Sequence, residues 1–304
     1  MADELNPSLE GPAGEPPAAA PAWTWLLRPL AALPFGAVSA LGWLLGRVLA
    51  LLPTQRRRIG RINLGLCFPE LGRAEREALL RDHFVALAQM LLEYGYCWYA
   101  PRERVAALVR IEGIEHLRAL DGRPAILAMP HFTGLDLAGL RISMERAIVS
   151  FYSRQKDPAL DAHFRQQRLR LGTGQVWPRQ AGVRPVLKAM RQGLALYHLP
   201  DQDHGLRDAV FADFFGVPAA TLTAPARIAA VTGARLLPCY PRRERDGYTL
   251  VIEPPLEGFP GADAAADTQR LNQVIERQVR AIPQQYFWLH KRFKTRPPGH
   301  AGFY

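Results

Sequence analysis

AILAMPHFTGLDLAGL, residues 125–140, changes its periodicity partway along. Ala125 to Met129 is a short continuous apolar run, the pattern of a strand buried on both faces. Pro130 ends it, His131 follows, and a helix is expected to begin near Thr133. In open α/β sheets ligands collect beyond the carboxyl ends of the strands, so His131 stands where chemistry is expected. Asp136 falls in the first turn of the expected helix, from which its carboxylate can turn back toward the imidazole. A carboxylate bonded to one ring nitrogen fixes the tautomer and leaves the other nitrogen as a base. It also stabilises the imidazolium that forms when a hydroxyl proton is taken. His131 and Asp136 would then be the His–Asp half of a triad whose nucleophile is the acceptor's own hydroxyl. The spacing alone also fits a plainer role, in which Asp136 only complements the dipole at the helix N-terminus.

Further runs of the same style follow at Ala147–Tyr152, Leu194–Leu199, Arg235–Tyr240 and Tyr248–Ile252. Helical patterns fill the gaps at about 135–145, 158–171, 183–192, 222–232 and 267–281. Upstream, Arg73–Leu92 places Leu80, Phe84, Leu87 and Leu91 along one helical face. Strands alternating with helices predict an α/β fold, a mainly parallel sheet sandwiched by helices. Gly258–Ala266 reads as a surface loop, and no internal repeat is present.

The 304 residues are 48% hydrophobic, ample for a large core. Residues 1–21 are rich in Ala, Pro and Gly, carry only acidic charges, and read as a disordered tail. Residues 22–53 read as a membrane anchor. PLAALPFGAVSALGWLLG is an uncharged 18-residue run between Arg28 and Arg47, near the lower limit for a membrane-spanning helix. The alternative is an interfacial hairpin broken at Pro29 and Pro34. Arg56, Arg57, Arg58 and Arg61 follow directly, so the positive-inside rule leaves residues 54–304 as a cytoplasmic domain, with a single N-terminal anchor in the inner membrane. The formal net charge of +10 suits an anionic partner, either a membrane surface or an acidic carrier protein. No nucleic-acid-binding motif accompanies it. Cys67, Cys97 and Cys239 are widely spaced and odd in number, which argues against a disulfide framework or a zinc site. No Gly-x-Ser-x-Gly elbow, P-loop, His-Glu-x-x-His or Gly-x-Gly-x-x-Gly appears in its required context, so no metal and no bound cofactor is expected.

HFTGLD also resembles the His-x4-Asp/Glu signature of the glycerolipid acyltransferase superfamily. Most of the chain resembles the late acyltransferases of lipid A biosynthesis, the lauroyl/myristoyl acyltransferase family. The matching blocks, in order, are NLGLCFPEL at 63–71, MPHFTGLD at 129–136, FYSRQKDP at 151–158, LPDQDHG at 199–205 and QQYFWLHKRFKTRPPG at 284–299. One departure is Asp136, where many members carry Glu. The resemblance implies a glycerol-3-phosphate-acyltransferase-like fold. It also implies acyl transfer from an acyl-carrier-protein thioester to a hydroxyl of a lipid A precursor, with His131 as base and Asp136 holding it. The alternative is an acyltransferase of the same superfamily that acts on another lipid or glycolipid, with acyl-CoA as donor.

An oxyanion forming at the thioester carbonyl needs positively polarised donors. Arg168 and Arg154 are the side-chain candidates, and they serve equally for lipid A phosphates, which Arg pairs bidentately. Backbone N–H groups at the start of the 133–145 helix are the alternative. Asp201 and Asp203 lie just beyond another strand and are candidates to line the site, although strand-end Asp also caps turns. His290, Lys291, Arg292, Lys294 and Arg296 form a basic C-terminal segment suited to an acidic carrier or a membrane surface, with Trp288 and Phe293 packed inward.

Overall fold

Why the apolar runs become one layered domain follows from their alternation with amphipathic helices. The computed structural model describes residues 21–304, so the tail expected over residues 1–21 lies outside it apart from Pro21. Short 3₁₀ turns at Ala22–Leu27 and Pro29–Ala31 lead into α1 (Phe35–Leu49), α2 (Gln55–Cys67), α3 (Arg73–Tyr99) and α4 (Arg102–Leu108). Then come β1 (Val109–Glu112), α5 (Ile114–Arg118), β2 (Ala125–Ala128), α6 (Leu135–Ser143), β3 (Ile148–Tyr152), α7 (Pro158–Leu169) and β4 (Gly174–Pro178). The chain continues with α8 (Arg184–Arg191), β5 (Ala195–His198), β6 (Ala209–Phe214), β7 (Val217–Leu222), α9 (Ala224–Thr232), β8 (Arg235–Arg243), β9 (Tyr248–Ile252) and α10 (Ala264–Ala281).

Seven strands make one sheet in the order β1-β9-β8-β2-β5-β3-β4. The run from β8 to β4 is parallel throughout, and only the β8–β9 pairing is antiparallel. β6 and β7 form a separate hairpin, turned at Phe215 and Gly216, both at positive φ. The continuous apolar strands follow from burial on both faces. Ile126 and Ala128 point into a core shared with α8, α9 and α10, whereas Ala125, Leu127 and Met129 face a core shared with α6 and the end of α3. Asp157 caps α7 by accepting from the Ala159 and Leu160 N–H groups, and Asp263 caps α10 through Ala265 N–H. That second cap starts α10 inside the stretch expected to be loop. All three cysteines are buried free thiols.

The expected membrane-spanning helix is not present. Pro34 divides the 18-residue run, leaving α1 with 15 residues, a length of about 22 Å against a hydrocarbon core of about 30 Å. Among the described residues no helix is long and apolar enough to cross a membrane. Instead α1 packs on α3 through small residues. A Cβ at Gly42 would lie 2.6 Å from Gln89 Cα, and one at Gly46 2.4 Å from Val85 Cα. This close seam leaves the opposite face outward, with Leu41, Trp43, Leu44 and Val48 exposed; Trp23, Trp25 and Leu26 of the first 3₁₀ turn are exposed as well.

α3 runs seven residues beyond the helix expected from the sequence, ending at Tyr99 rather than Leu92. It touches both cores, so its apolar residues do not keep to one face. Leu80 and Phe84 are buried in one core, Tyr96 and Trp98 in the other, and Leu91 is exposed. His83, fully buried within α3, bonds Gln284 O through Nδ1 at 3.1 Å, and its Nε2 has no partner. Burial pushes its pKa down to about 4. The ordinary His value is about 6.5, so between those values the unfolded chain binds a proton that the folded chain refuses. The stability that neutral His83 contributes is therefore complete above pH 6.5 and declines toward pH 4, by about 3 kcal/mol for this one group. Thermal unfolding across that interval is expected to show a falling Tm whose slope is reduced in His83→Gln; equal slopes would show that His83 titrates normally.

Candidate active site

Register builds the centre of the site. Ala128 of β2 pairs with His198 of the parallel strand β5. Three residues beyond each partner stand His131 and Asp201, brought side by side at the carboxyl end of the sheet. Asp201 Oδ1 accepts a hydrogen bond from His131 Nδ1 at 2.7 Å, and its Oδ2 accepts from the His131 backbone N–H at 2.9 Å. The His131 carbonyl accepts from Phe287 N–H at 2.8 Å, and Thr133 N–H donates to Gln285 O at 2.8 Å. The C-terminal QQYF segment thus locks the loop from behind.

Asp201 is buried, whereas the His131 side chain keeps 19% of its surface. Burial works against the Asp201 charge, but the neighbouring His131, its two hydrogen bonds and the Arg292 guanidinium outweigh it and bring the pKa down to about 2. An ionised carboxylate only accepts, so Nδ1 must carry the proton and Nε2 of a neutral ring is left as the base.

The carboxylate expected at the ring was Asp136. In the structure that position belongs to Asp201, and Asp136 is occupied elsewhere. The Tyr94 hydroxyl donates to Asp136 Oδ2 at 2.5 Å, and Arg168 Nε donates to its Oδ1 at 3.3 Å. Gly134, in the left-handed conformation, is the N-cap of α6, so the helix begins at Leu135 rather than near Thr133. A Cβ at Gly134 would sit 2.2 Å from the Tyr248 ring, so the tight turn out of the His131 loop requires glycine. Tyr94 remains a phenol because burial, and then the Asp136 charge, raise its pKa well above the ordinary value.

A cleft of about 250 Å³ opens on His131 and is lined by Asp136 and Arg168 as well. Arg154 is exposed and does not line it. Asp203 is turned away from the cleft and ties down the C-terminal segment, accepting from Gly205 N–H at 2.9 Å, Thr295 N–H at 2.7 Å and the Thr295 hydroxyl at 2.8 Å. Arg292, expected at the surface, is buried. It donates to Ala220 O at 2.8 Å and to Thr221 Oγ1 at 2.7 Å. Trp288 and Phe293 are buried as expected, while Lys294 is exposed.

Sequence reasoning gave Tyr94 no place at the site and did not single out Arg179 or His198. Arg179 Nη1 lies 2.9 Å from His204 Nδ1 at the cleft rim. His198 faces the cleft with Nε2 unpartnered, and burial and then the Arg179 charge lower its pKa to about 4, keeping it neutral. Strand-end position was a signal for His198; Tyr94, on a helix 42 residues before Asp136, carried none.

Comparison with known proteins gives the chain its class. The profile of a family described as bacterial lipid A biosynthesis acyltransferase matches residues 20–295. The protein is an acyltransferase, as its relatives are. It is 33% identical to the lipid A biosynthesis lauroyltransferase of Escherichia coli (strain K12), over 91% of this chain and 92% of that one. It is 30% identical to the palmitoleoyltransferase of the same organism, over 93% and 91% of the two chains. With the myristoyltransferase it shares 34% identity over 84% and 80%. The chain belongs to the bacterial lipid A biosynthesis acyltransferase family.

Proposed function

We propose that the protein moves a fatty acyl group from an acyl-carrier-protein thioester to a hydroxyl of a lipid A precursor. The observation that carries this is a histidine with a carboxylate on Nδ1 and its free nitrogen facing a cleft that continues into apolar lining. His131 Nε2 takes the proton of the acceptor hydroxyl as the oxygen attacks the thioester carbonyl. Collapse of the tetrahedral intermediate breaks the carbon–sulfur bond and expels the thiolate, to which His131 returns the proton. No covalent enzyme intermediate and no bound cofactor is required. Asp136 acts by fixing Arg168, whose guanidinium is then aimed at the developing oxyanion or at a phosphate of the acceptor.

Arg168→Ala is expected to lower transfer about 10²-fold. Asp136→Asn should act through the same guanidinium, so the double variant is expected to lose little more than the worse single one. Additive losses in steady-state kinetics would separate the two residues.

The exposed apolar face of α1, together with exposed Trp23 and Trp25, lies in our reading within the surface of an anionic inner membrane. The guanidinium of Arg28 lies over Trp25 at 5.4 Å, and that of Arg47 over Trp43 at 5.7 Å, a mixed aromatic and basic rim suited to head groups. An interfacial helix carries no sidedness from the positive-inside rule, so the cytoplasmic placement rests on the carrier-protein donor. Binding to anionic phospholipid vesicles is expected to weaken about tenfold or more in a Trp43→Ser, Leu44→Ser, Val48→Ser variant. Unchanged co-flotation would remove this face from the membrane.

The deciding assay supplies purified protein with a tetra-acylated lipid A precursor and a panel of acyl-carrier-protein thioesters, read by mass spectrometry. Addition of one acyl chain supports the proposal. Transfer from acyl-CoA to a lysophospholipid, with none from the carrier thioesters, would overturn it in favour of another lipid acceptor.

A further inference from the structure

The geometry points to Gly139 as the residue that sets the length of acyl chain the enzyme accepts. The inference rests on the acyl-transfer reading above and extends it to chain selectivity. α6 runs down from the His131 loop, antiparallel to the strand β3 that follows it. The cleft descends with it, between α6, α7 and the sheet, from His131 and Asp136 at the top to Leu140 and Ile148 below. Ile148 is the first residue of β3, so the lining spans the full strand, a depth of about 13 Å. The polar groups that perform chemistry sit at the top. The wall below them includes Gly139, Leu140, Ile148 and Val176, apolar residues with no group to hold a head group or a phosphate. A thioester carbonyl at His131 would send its hydrocarbon chain along this wall.

Gly139 stands one helical turn below Asp136, on the face of α6 that lines the cleft. Its absent side chain is not required by the backbone, because its φ lies outside the left-handed region. Neither is it required by close packing. The nearest atoms a Cβ there would meet belong to Tyr197, at 3.6 Å from Cζ and 3.7 Å from the hydroxyl oxygen, ordinary contact distances. Glycine inside a helix weakens it relative to alanine, so open space is what this position gains. Tyr197 cannot swing aside to admit a larger residue, since its hydroxyl donates to Leu135 O at 2.7 Å and its ring is buried. A longer side chain at 139 therefore extends along the cleft and displaces the distal carbons of the acyl chain.

The test measures kcat/KM of the full-length wild type, Gly139→Ala and Gly139→Met with saturated acyl-carrier-protein donors from eight to sixteen carbons. In Gly139→Met the preferred chain is expected to shorten by two carbons or more. The ratio of short-chain to long-chain kcat/KM should rise about tenfold or more, the discrimination that a methylene commands in an apolar pocket. Gly139→Ala, which favours the helix, should shift the profile in the same direction by less, so the result does not hang on whether the methionine variant folds. Retained transfer from the shortest donor shows that the chemical groups are intact. Wild-type transfer with parallel profiles in all three proteins would overturn the role of Gly139 and leave the acyl-transfer reading standing. Absence of wild-type transfer from every thioester would overturn that reading itself.

Discussion

Asp201→Asn is expected to reduce acyl transfer by about 10²–10⁴-fold at saturating donor, with little change in KM. The reason is the tautomer. Asp201 accepts from both the backbone N–H and Nδ1 of His131. If the asparagine oxygen keeps the backbone contact, its NH₂ group faces Nδ1 and donates to it. The ring must then carry its proton on Nε2, where a general base needs a lone pair. The variant should fold with reduced stability, since the buried Arg292 loses a compensating charge, at a cost of about 1–3 kcal/mol. A kcat within about threefold of wild type, on the scale of the general-base effect, would remove Asp201 from the role and return Asp136 to it.

His131→Ala should abolish the same step, with a loss of about 10²–10⁴-fold or more, while donor and membrane binding survive. Because His131 and Asp201 act as one unit, the double variant should be no worse than His131→Ala alone. Single-turnover transfer measured in parallel with donor binding separates this from a folding defect. Losses that multiply would mean that Asp201 acts on something other than the ring. Substantial residual turnover in His131→Ala would point to a base elsewhere in the cleft.

The strand-to-helix change at 125–140 was legible because both periodicities are local. A two-sided buried strand needs an unbroken apolar run, and the helix after it shows its own spacing. The five strands read from apolar runs are all in the sheet, and His131 stands at the end of one of them as expected. β1 and β4 were not legible. Val109–Glu112 has mixed burial, and Gly174–Pro178 begins with glycine and ends with proline. The hairpin Ala209–Leu222 was missed as well, since each strand buries only part of itself.

Composition and local pattern thus determined the α/β class, the placement of His131 and the apolar character of residues 29–46. Which carboxylate meets the imidazole was decided only by tertiary structure. Asp136 is close in sequence, but a helix that starts at Leu135 hands it to Tyr94 and Arg168. Asp201, 70 residues away, arrives because parallel register carries β5 beside β2. The same holds for the N-terminal run. Hydrophobicity marks it as apolar, but only the close approach of Gly42 and Gly46 to α3 shows which face of α1 the protein covers and which it leaves outward. Local sequence specifies the period and the burial of each element. Partners distant in the chain are chosen by register and close packing, which no local window contains.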